Sequence, residues 1–368
     1  MNILMTADTI GGVWTYAIEL ARALDSHDVD VTLASMGATP GREQRKEAHR
    51  CRNVRLVEST FKLEWMQDPW LDVDRAGDWL LGLAAEHSPD VIHLNGYAHG
   101  ALAWHAPVIV VGHSCVWSWW SAVKNTSEVP CDWHEYRRRA MAGLHSADVV
   151  VAPTRAMLDS LTEHYGALPS TNVIANGRAA RQFVRGNKEP FIASAGRLWD
   201  EAKNVMLLAT AAESLPWRVV IAGDIASPDG STVDLPPGVE WLGRLSAGEI
   251  ASLFSRASIY ALPARYEPFG LSVLEAALSG CALVLGDIAS LREVWGDAAL
   301  FVSPSDEEEL IDAIERLCRD TALRHRLVSR SVGRALDLSD RRMAAGYAAM
   351  YASLCADHRA AEVATCAS

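Results

Sequence analysis

Short β-rich runs alternate with longer amphipathic runs along almost the whole chain. In the first half, the apolar runs at 2–7, 29–35, 53–58, 90–94, 107–111, 147–151 and 172–175 read as strands. Between them, Val13, Ala17, Leu20, Ala21 and Leu24 fall on one helical face, and Asp72–Glu86 and Asp132–His145 also read as helical. A polar stretch, Arg185-Gly186-Asn187-Lys188-Glu189-Pro190, interrupts this rhythm, which then restarts. Strands are expected at 191–195, 218–222, 238–242, 257–261, 282–285 and 299–302, with helices near 201–214, 246–255, 271–280 and 306–319. After Leu338, Asp340–Leu354 carries an apolar stripe of Met343, Tyr347, Met350, Tyr351 and Leu354. Such alternation predicts parallel sheets covered by helices on both faces. Occurring twice, it predicts an α/β protein of two Rossmann-like domains at 1–176 and 191–338. A linker at 177–190 joins them, where Gly177 punctuates the pattern. Ligands of such domains sit at the carboxyl ends of the strands, here in a cleft between the two.

Composition narrows the function classes. The chain has 368 residues, 49% hydrophobic and 22% charged, enough for two cores of a soluble globular protein. No apolar run approaches the ~20 residues of a membrane span. Met1-Asn2-Ile3-Leu4-Met5 leads straight into a strand, without the features of a signal peptide, so a cytoplasmic location is expected. Seven cysteines without a Cys-x-x-Cys pair fit reduced thiols better than a disulfide frame or a zinc site. A net charge of −12 argues against nucleic-acid binding. The local exception is Arg42, Arg45, Lys46, Arg50, Arg52 and Arg55, which reads either as a solvated face or as a peripheral contact with a membrane or another anionic partner.

The most informative segment is Pro263-Ala264-Arg265-Tyr266-Glu267-Pro268-Phe269-Gly270-Leu271-Ser272-Val273-Leu274-Glu275-Ala276-Ala277. A strand ends in a loop, and the loop opens a helix near Phe269 or Gly270. Gly270 allows close backbone approach, and the free N–H groups of the first turn favour an anion. Two glutamates eight residues apart bracket that anion site, which suits a sugar, a diphosphate and a ribose in a row. Either glutamate alone would equally decorate a loop or a helix start.

This Glu-x7-Glu segment resembles the signature of the retaining GT-B glycosyltransferases of family 4. The resemblance implies that Glu267 contacts the transferred sugar. The amides of Phe269, Gly270 and Leu271 would then hold its hydroxyls and the diphosphate, and Glu275 would bind the ribose. Ser194-Ala195-Gly196-Arg197-Leu198 followed by Lys203-Asn204 is similar to the family element whose Arg and Lys hold the donor phosphates. Arg197 and Lys203 would thereby do the work that a metal does elsewhere, with no cofactor expected. Asp28-Val29-Asp30 precedes a strand and Asp72-Val73-Asp74 begins a helix, so neither is placed as a metal-binding Asp-x-Asp.

In the first half, Asp8-Thr9-Ile10-Gly11-Gly12 resembles the family's Gly-Gly loop, which packs against donor phosphate and acceptor, so Gly12 joins the donor-binding set. No Gly-x-Gly-x-x-Gly occurs, which disfavours an NAD enzyme. Gly112-His113-Ser114-Cys115-Val116 is one residue short of a hydrolase nucleophile elbow, because Val116 stands where the last glycine is needed. Under the family resemblance His113 instead lies near the transferred sugar, facing Glu267 from the other domain. His93, His99 and His105 read as locally satisfied. Trp104, Trp117, Trp119, Trp120 and Trp133 are either core or an acceptor platform. Where relatives have Asn-Gly-Val-Asp, this chain has Asn176-Gly177-Arg178-Ala179-Ala180. The implied function is metal-independent transfer from a nucleotide-sugar donor to a hydroxyl acceptor such as a carbohydrate, by front-face attack. The final helix would cross back to the first domain. A nucleotide-sugar epimerase and a non-catalytic sugar-nucleotide binder share the architecture.

Overall fold

The computed structural model describes residues 1–126, 128–227 and 230–366. The chain divides into two compact units. One comprises Met1–Trp120, Thr126–Gly177 and the segment from Asp340 on; the other comprises Ser121–Asn125 and Arg178–Ser339.

The first unit opens with β1 (Asn2–Asp8), α1 (Gly12–Leu24), β2 (Asp30–Met36), α2 (Arg42–His49), β3 (Val54–Glu58), α3 (Trp70–His87) and β4 (Val91–Leu94). It continues with β5 (Val108–Val111), α4 (Val116–Lys124, whose residues from Ser121 on are grouped with the second unit), α5 (His134–Ser146), β6 (Val149–Ala152), α6 (Arg155–Tyr165) and β7 (Thr171–Val173). The seven strands run parallel in the order β3-β2-β1-β4-β5-β6-β7. The central strands β4 and β5 are buried on both faces and apolar except for His93, as a sheet covered on both sides requires. Trp14, Ala17, Leu20, Ala21 and Leu24 of α1 pack on Ile3, Met5 and Val31.

The second unit holds β8 (Glu189–Ala195), α7 (Val205–Ala211), β9 (Arg218–Ala222), β10 (Val239–Trp241), α8 (Ala247–Arg256) and β11 (Ala257–Leu262). There follow α9 (Leu271–Leu278), β12 (Ala282–Gly286), α10 (Ala289–Trp295), β13 (Ala299–Val302), α11 (Glu307–Arg319) and α12 (Thr321–Asp337). Its sheet is parallel in the order β10-β9-β8-β11-β12-β13. Sequence spacing predicts one helix over 201–214, but Asn204 at φ 52° interrupts it. The left-handed turn lets the Asn204 amide donate to the carbonyls of Pro263 and Pro304, both at 2.8 Å, so the break braces two neighbouring loops.

From Arg178 onward, the stretch expected as a linker is built into the second unit. The Lys188 ammonium donates to the Phe254 and Ser279 carbonyls at 2.9 and 2.7 Å, neutralising the carbonyl ends of α8 and α9. The last helix, α13 (Asp340–Cys366), returns to the first unit. Its Met343, Ala344, Tyr347, Met350 and Tyr351 join the core beneath α1. No described helix is long and apolar enough to cross a membrane.

Candidate functional site

Each sheet reverses its strand order beside its first strand, between β1 and β4 and between β8 and β11. At such a point the loops leaving neighbouring strands part and expose backbone groups at the carboxyl edge. The loops after β1, β8 and β11 carry or adjoin most of the residues singled out from sequence.

In the second unit, Lys203, Glu267, Phe269 and Gly270 converge. The Glu267 carboxylate accepts from Lys203 Nζ at 2.6 Å, from the Gly270 amide at 3.0 Å and from the Phe269 amide at 3.4 Å. Both charged side chains are mostly buried. Gly270, at φ 89°, turns the chain into α9, so Leu271 is the first helical residue. The amides assigned to an anionic ligand are thus already aimed at a carboxylate, which marks the place as favourable to negative charge. The Ser290 hydroxyl donates to the Glu267 carbonyl at 2.6 Å, and Tyr260 donates to Ser272 at 2.8 Å, fixing the loop and the first turn of the helix.

Arg197 lies on the loop after β8. It donates to Asp200 at 2.7 Å, and its guanidinium lies 5.3 Å from the Trp199 ring centre. The backbones there are tightly pressed: a Cβ at Gly223 would fall 1.8 Å from the Gly196 carbonyl oxygen. Glu275, one turn further along α9, lies 3.0 Å from Arg178 Nε. Sequence patterning did not reveal this pair; the substituted Asn-Gly-Arg stretch was its only trace.

In the first unit, Gly11 at φ 102° caps α1, and Gly12 begins it with an exposed backbone. The Asp8 carboxylate accepts from the Ile10 amide at 2.5 Å. His113 follows β5, half-buried, with Nε2 2.8 Å from Asn95 Oδ1. Asn95 Nδ2 donates to the Thr6 carbonyl at 2.6 Å, which fixes the amide's orientation. Asn95 Oδ1 is therefore the acceptor, the His113 proton sits on Nε2, and Nδ1 is the acceptor nitrogen. Tyr16 of α1 meets the His113 ring edge-on at 4.5 Å and connects it with the Gly12 loop. Burial pulls the His113 imidazole down to about 3, so the ring is neutral.

Beneath it, His93 is fully buried between the Tyr16 and Tyr351 hydroxyls at 3.3 and 2.7 Å, and is likewise held down to about 3, mainly by burial. His99 binds the Val73 carbonyl at 2.9 Å. The tryptophans serve mostly as packing: Trp117 stacks on Tyr136, Trp119 meets Trp120, and Trp104 donates to the His99 carbonyl. The basic stretch is largely spent on neighbouring carboxylates: Arg45 pairs with Glu58, Lys46 with Glu43, Arg52 with Asp25 and Arg55 with Glu86. That distribution favours the solvated-face reading over a membrane contact. Asp74 pairs with Arg139, and Asp72 accepts from the Lys62 amide.

Comparison with known proteins gives two family matches that together span most of the chain. Residues 177–332 match the model described as Glycosyl transferases group 1, and residues 10–179 match Glycosyltransferase Family 4. A D-inositol 3-phosphate glycosyltransferase of Corynebacterium diphtheriae is 25% identical across 86% of this chain and 84% of its own. A glycogen synthase of Mycobacterium tuberculosis is 26% identical across 89% and 88%. Among solved structures, sucrose-phosphate synthase from Thermosynechococcus elongatus superposes with a TM-score of 0.82 at 18% identity, over 97% of this chain and all of its own. Anabaena HepE in complex with UDP-glucose gives 0.75 at 18% identity, over 96% and 100%.

Proposed function

The chain belongs to the group 1, family 4 glycosyltransferases, GT-B in fold and of hexosyltransferase type, and from that premise we propose that it transfers a sugar from a nucleotide diphosphate to a hydroxyl acceptor, with retention of configuration and without a metal. The observation that carries the reading is the convergence of Lys203, Glu267 and the amides of Phe269 and Gly270, with Glu275 further along the same helix.

In this mechanism Lys203, Arg197 and the first-turn amides of α9 stabilise the negative charge that develops on the departing diphosphate. Glu275 accepts hydrogen bonds from the ribose hydroxyls. Glu267 orients the sugar and holds Lys203 in place. His113, neutral, accepts a sugar hydroxyl at Nδ1, and the loop at Gly12 lies against phosphate and acceptor. The acceptor oxygen bonds to the anomeric carbon on the face from which the diphosphate leaves, and its proton passes to the departing phosphate oxygen. No side chain is required as a covalent nucleophile.

A UDP-sugar is the first donor to try, since HepE is described with UDP and UDP-glucose. Screening UDP-, GDP- and ADP-sugars by thermal shift should find one that stabilises the protein; at ~100 times its dissociation constant the gain is about 2.7 kcal/mol. Transfer or slow donor hydrolysis should then persist in excess EDTA. Activity lost with EDTA and restored by magnesium or manganese removes the metal-independent part of the reading. A donor that is epimerised, or bound but never turned over with any acceptor, replaces transfer with one of the two rival activities.

A further inference from the structure

Arg178 stands where the resemblance leads one to expect valine, and its surroundings give it a definite task. Its side chain is 7% exposed, and its Nε lies 3.0 Å from Oε1 of Glu275, itself 14% exposed. Its guanidinium lies 5.3 Å from the centre of the Phe183 ring. Its own amide donates to the Leu338 carbonyl at 3.1 Å, and its backbone forms a parallel bridge with Ser339. Arg178 and Ser339 are the first and last residues of the long segment that builds the second unit. One residue therefore joins the two passages of the main chain to a carboxylate on α9.

We propose that Arg178 is a positioning residue for the donor nucleotide: it aims Glu275 at the ribose and anchors that carboxylate to the paired crossings of the chain. The inference rests on the reading of Glu275 as the ribose contact. Exposed ion pairs do little, but removing one partner of a buried pair leaves the other charge desolvated and free to turn away. A carboxylate offers about four acceptor positions, so a ribose diol can be received alongside the guanidinium. The planar fork of arginine sets a direction that the single ammonium of lysine does not.

The test is a double-mutant cycle read by calorimetry with uridine, guanosine and adenosine diphosphates, the tightest being used throughout. Arg178→Met should weaken that diphosphate about tenfold, in the range for coupled neighbours. Donor KM should rise with kcat unchanged, the pattern of lost uniform binding. Arg178→Lys should recover part of the loss. In a Glu275→Ala background, Arg178→Met should add nothing.

Full diphosphate affinity in Arg178→Met overturns the proposal. So does the same tenfold loss in the Glu275→Ala background, which would mean that Arg178 touches the nucleotide directly. Should Arg178→Met fail to fold, Arg178→Lys carries the measurement, and full affinity there with wild-type KM overturns it equally. If Glu275→Ala alone binds diphosphate normally, the ribose reading is what fails, and the proposal falls with it for a separately visible reason.

Discussion

The switch points of the two sheets share a strand order and differ in chemistry. Beside β8 and β11 the side chains are charged and paired: Lys203 with Glu267, Arg197 with Asp200, Arg178 with Glu275. Beside β1 and β4 the Asp8 and Glu64 carboxylates are held by backbone amides, and the histidines form an uncharged network: His113 with Asn95 and Tyr16, and beneath it His93 between Tyr16 and Tyr351. The frame thus exposes strand ends, and the residues grafted there decide what they do. Charges suit a diphosphate, whose charge grows in the transition state. Neutral donors and acceptors suit sugar hydroxyls, which carry none. Burial enforces the contrast, since the two histidines remain uncharged at ordinary pH.

The largest effects should come from removing the centre of each network. Glu267→Ala and His113→Ala are each expected to lower turnover by about 10²-fold or more, because in the proposed mechanism their contacts act where charge develops at the sugar. Nucleoside diphosphate, which lacks that sugar, should bind His113→Ala as well as wild type, whereas Glu267→Ala also releases Lys203 and the Phe269 and Gly270 amides and should change diphosphate affinity as well. The paired measurement is transfer rate and diphosphate affinity. Full turnover in both variants removes their catalytic assignment, and lost diphosphate affinity in His113→Ala would erase the division of labour.

Next in size is Glu275→Ala. It should cost roughly 1.5–3 kcal/mol of diphosphate binding, the scale of hydrogen bonds to a charged group. Calorimetry on the folded variant decides. Unchanged affinity would mean that the charged network ends at Glu267.

Much of this was legible in the sequence because strand and helix periods are local. The two parallel sheets follow from runs such as Val108–Val111 and Ala282–Gly286, and the site loops follow from Gly270 and the Glu-x7-Glu spacing. The helices α4, α6, α10 and α12 went unread. In α4 the run Val-Trp-Ser-Trp-Trp has no clean polar face, and in α6 the N-cap Thr154 was its only strong start signal. Pairings across distant positions were not legible at all. Nothing local announces that Arg178 meets Glu275, or that Tyr351 on the returning helix supports His93 258 residues earlier. The Lys203–Glu267 pair was half visible: both residues were assigned to the donor, but not to each other.

The smallest effect concerns acid stability and probes the uncharged histidine network alone. His93 is held near 3 in the folded protein, mainly by burial, whereas an unfolded histidine titrates near 6.5. As pH falls through 6.5 the unfolded chain takes up a proton that the folded chain refuses. Stability is therefore full above that pH and is lost as pH drops towards 3. Between pH 7.5 and 5.5 one such histidine removes about 1.4 kcal/mol. Wild type should lose this amount for His93 and a further loss for His113. His93→Gln, measured by denaturant titration at both pH values, should show a decrease smaller by about 1.4 kcal/mol. The comparison is made within each variant between two pH values, so any general cost of the substitution cancels. Where two transitions are resolved, the difference should fall in the one that carries the first unit, because β4 and α13 both belong to it. Equal pH dependence in the two proteins would mean that His93 is not kept neutral, and the contrast between the charged pairs and the uncharged histidine network would lose its physical basis.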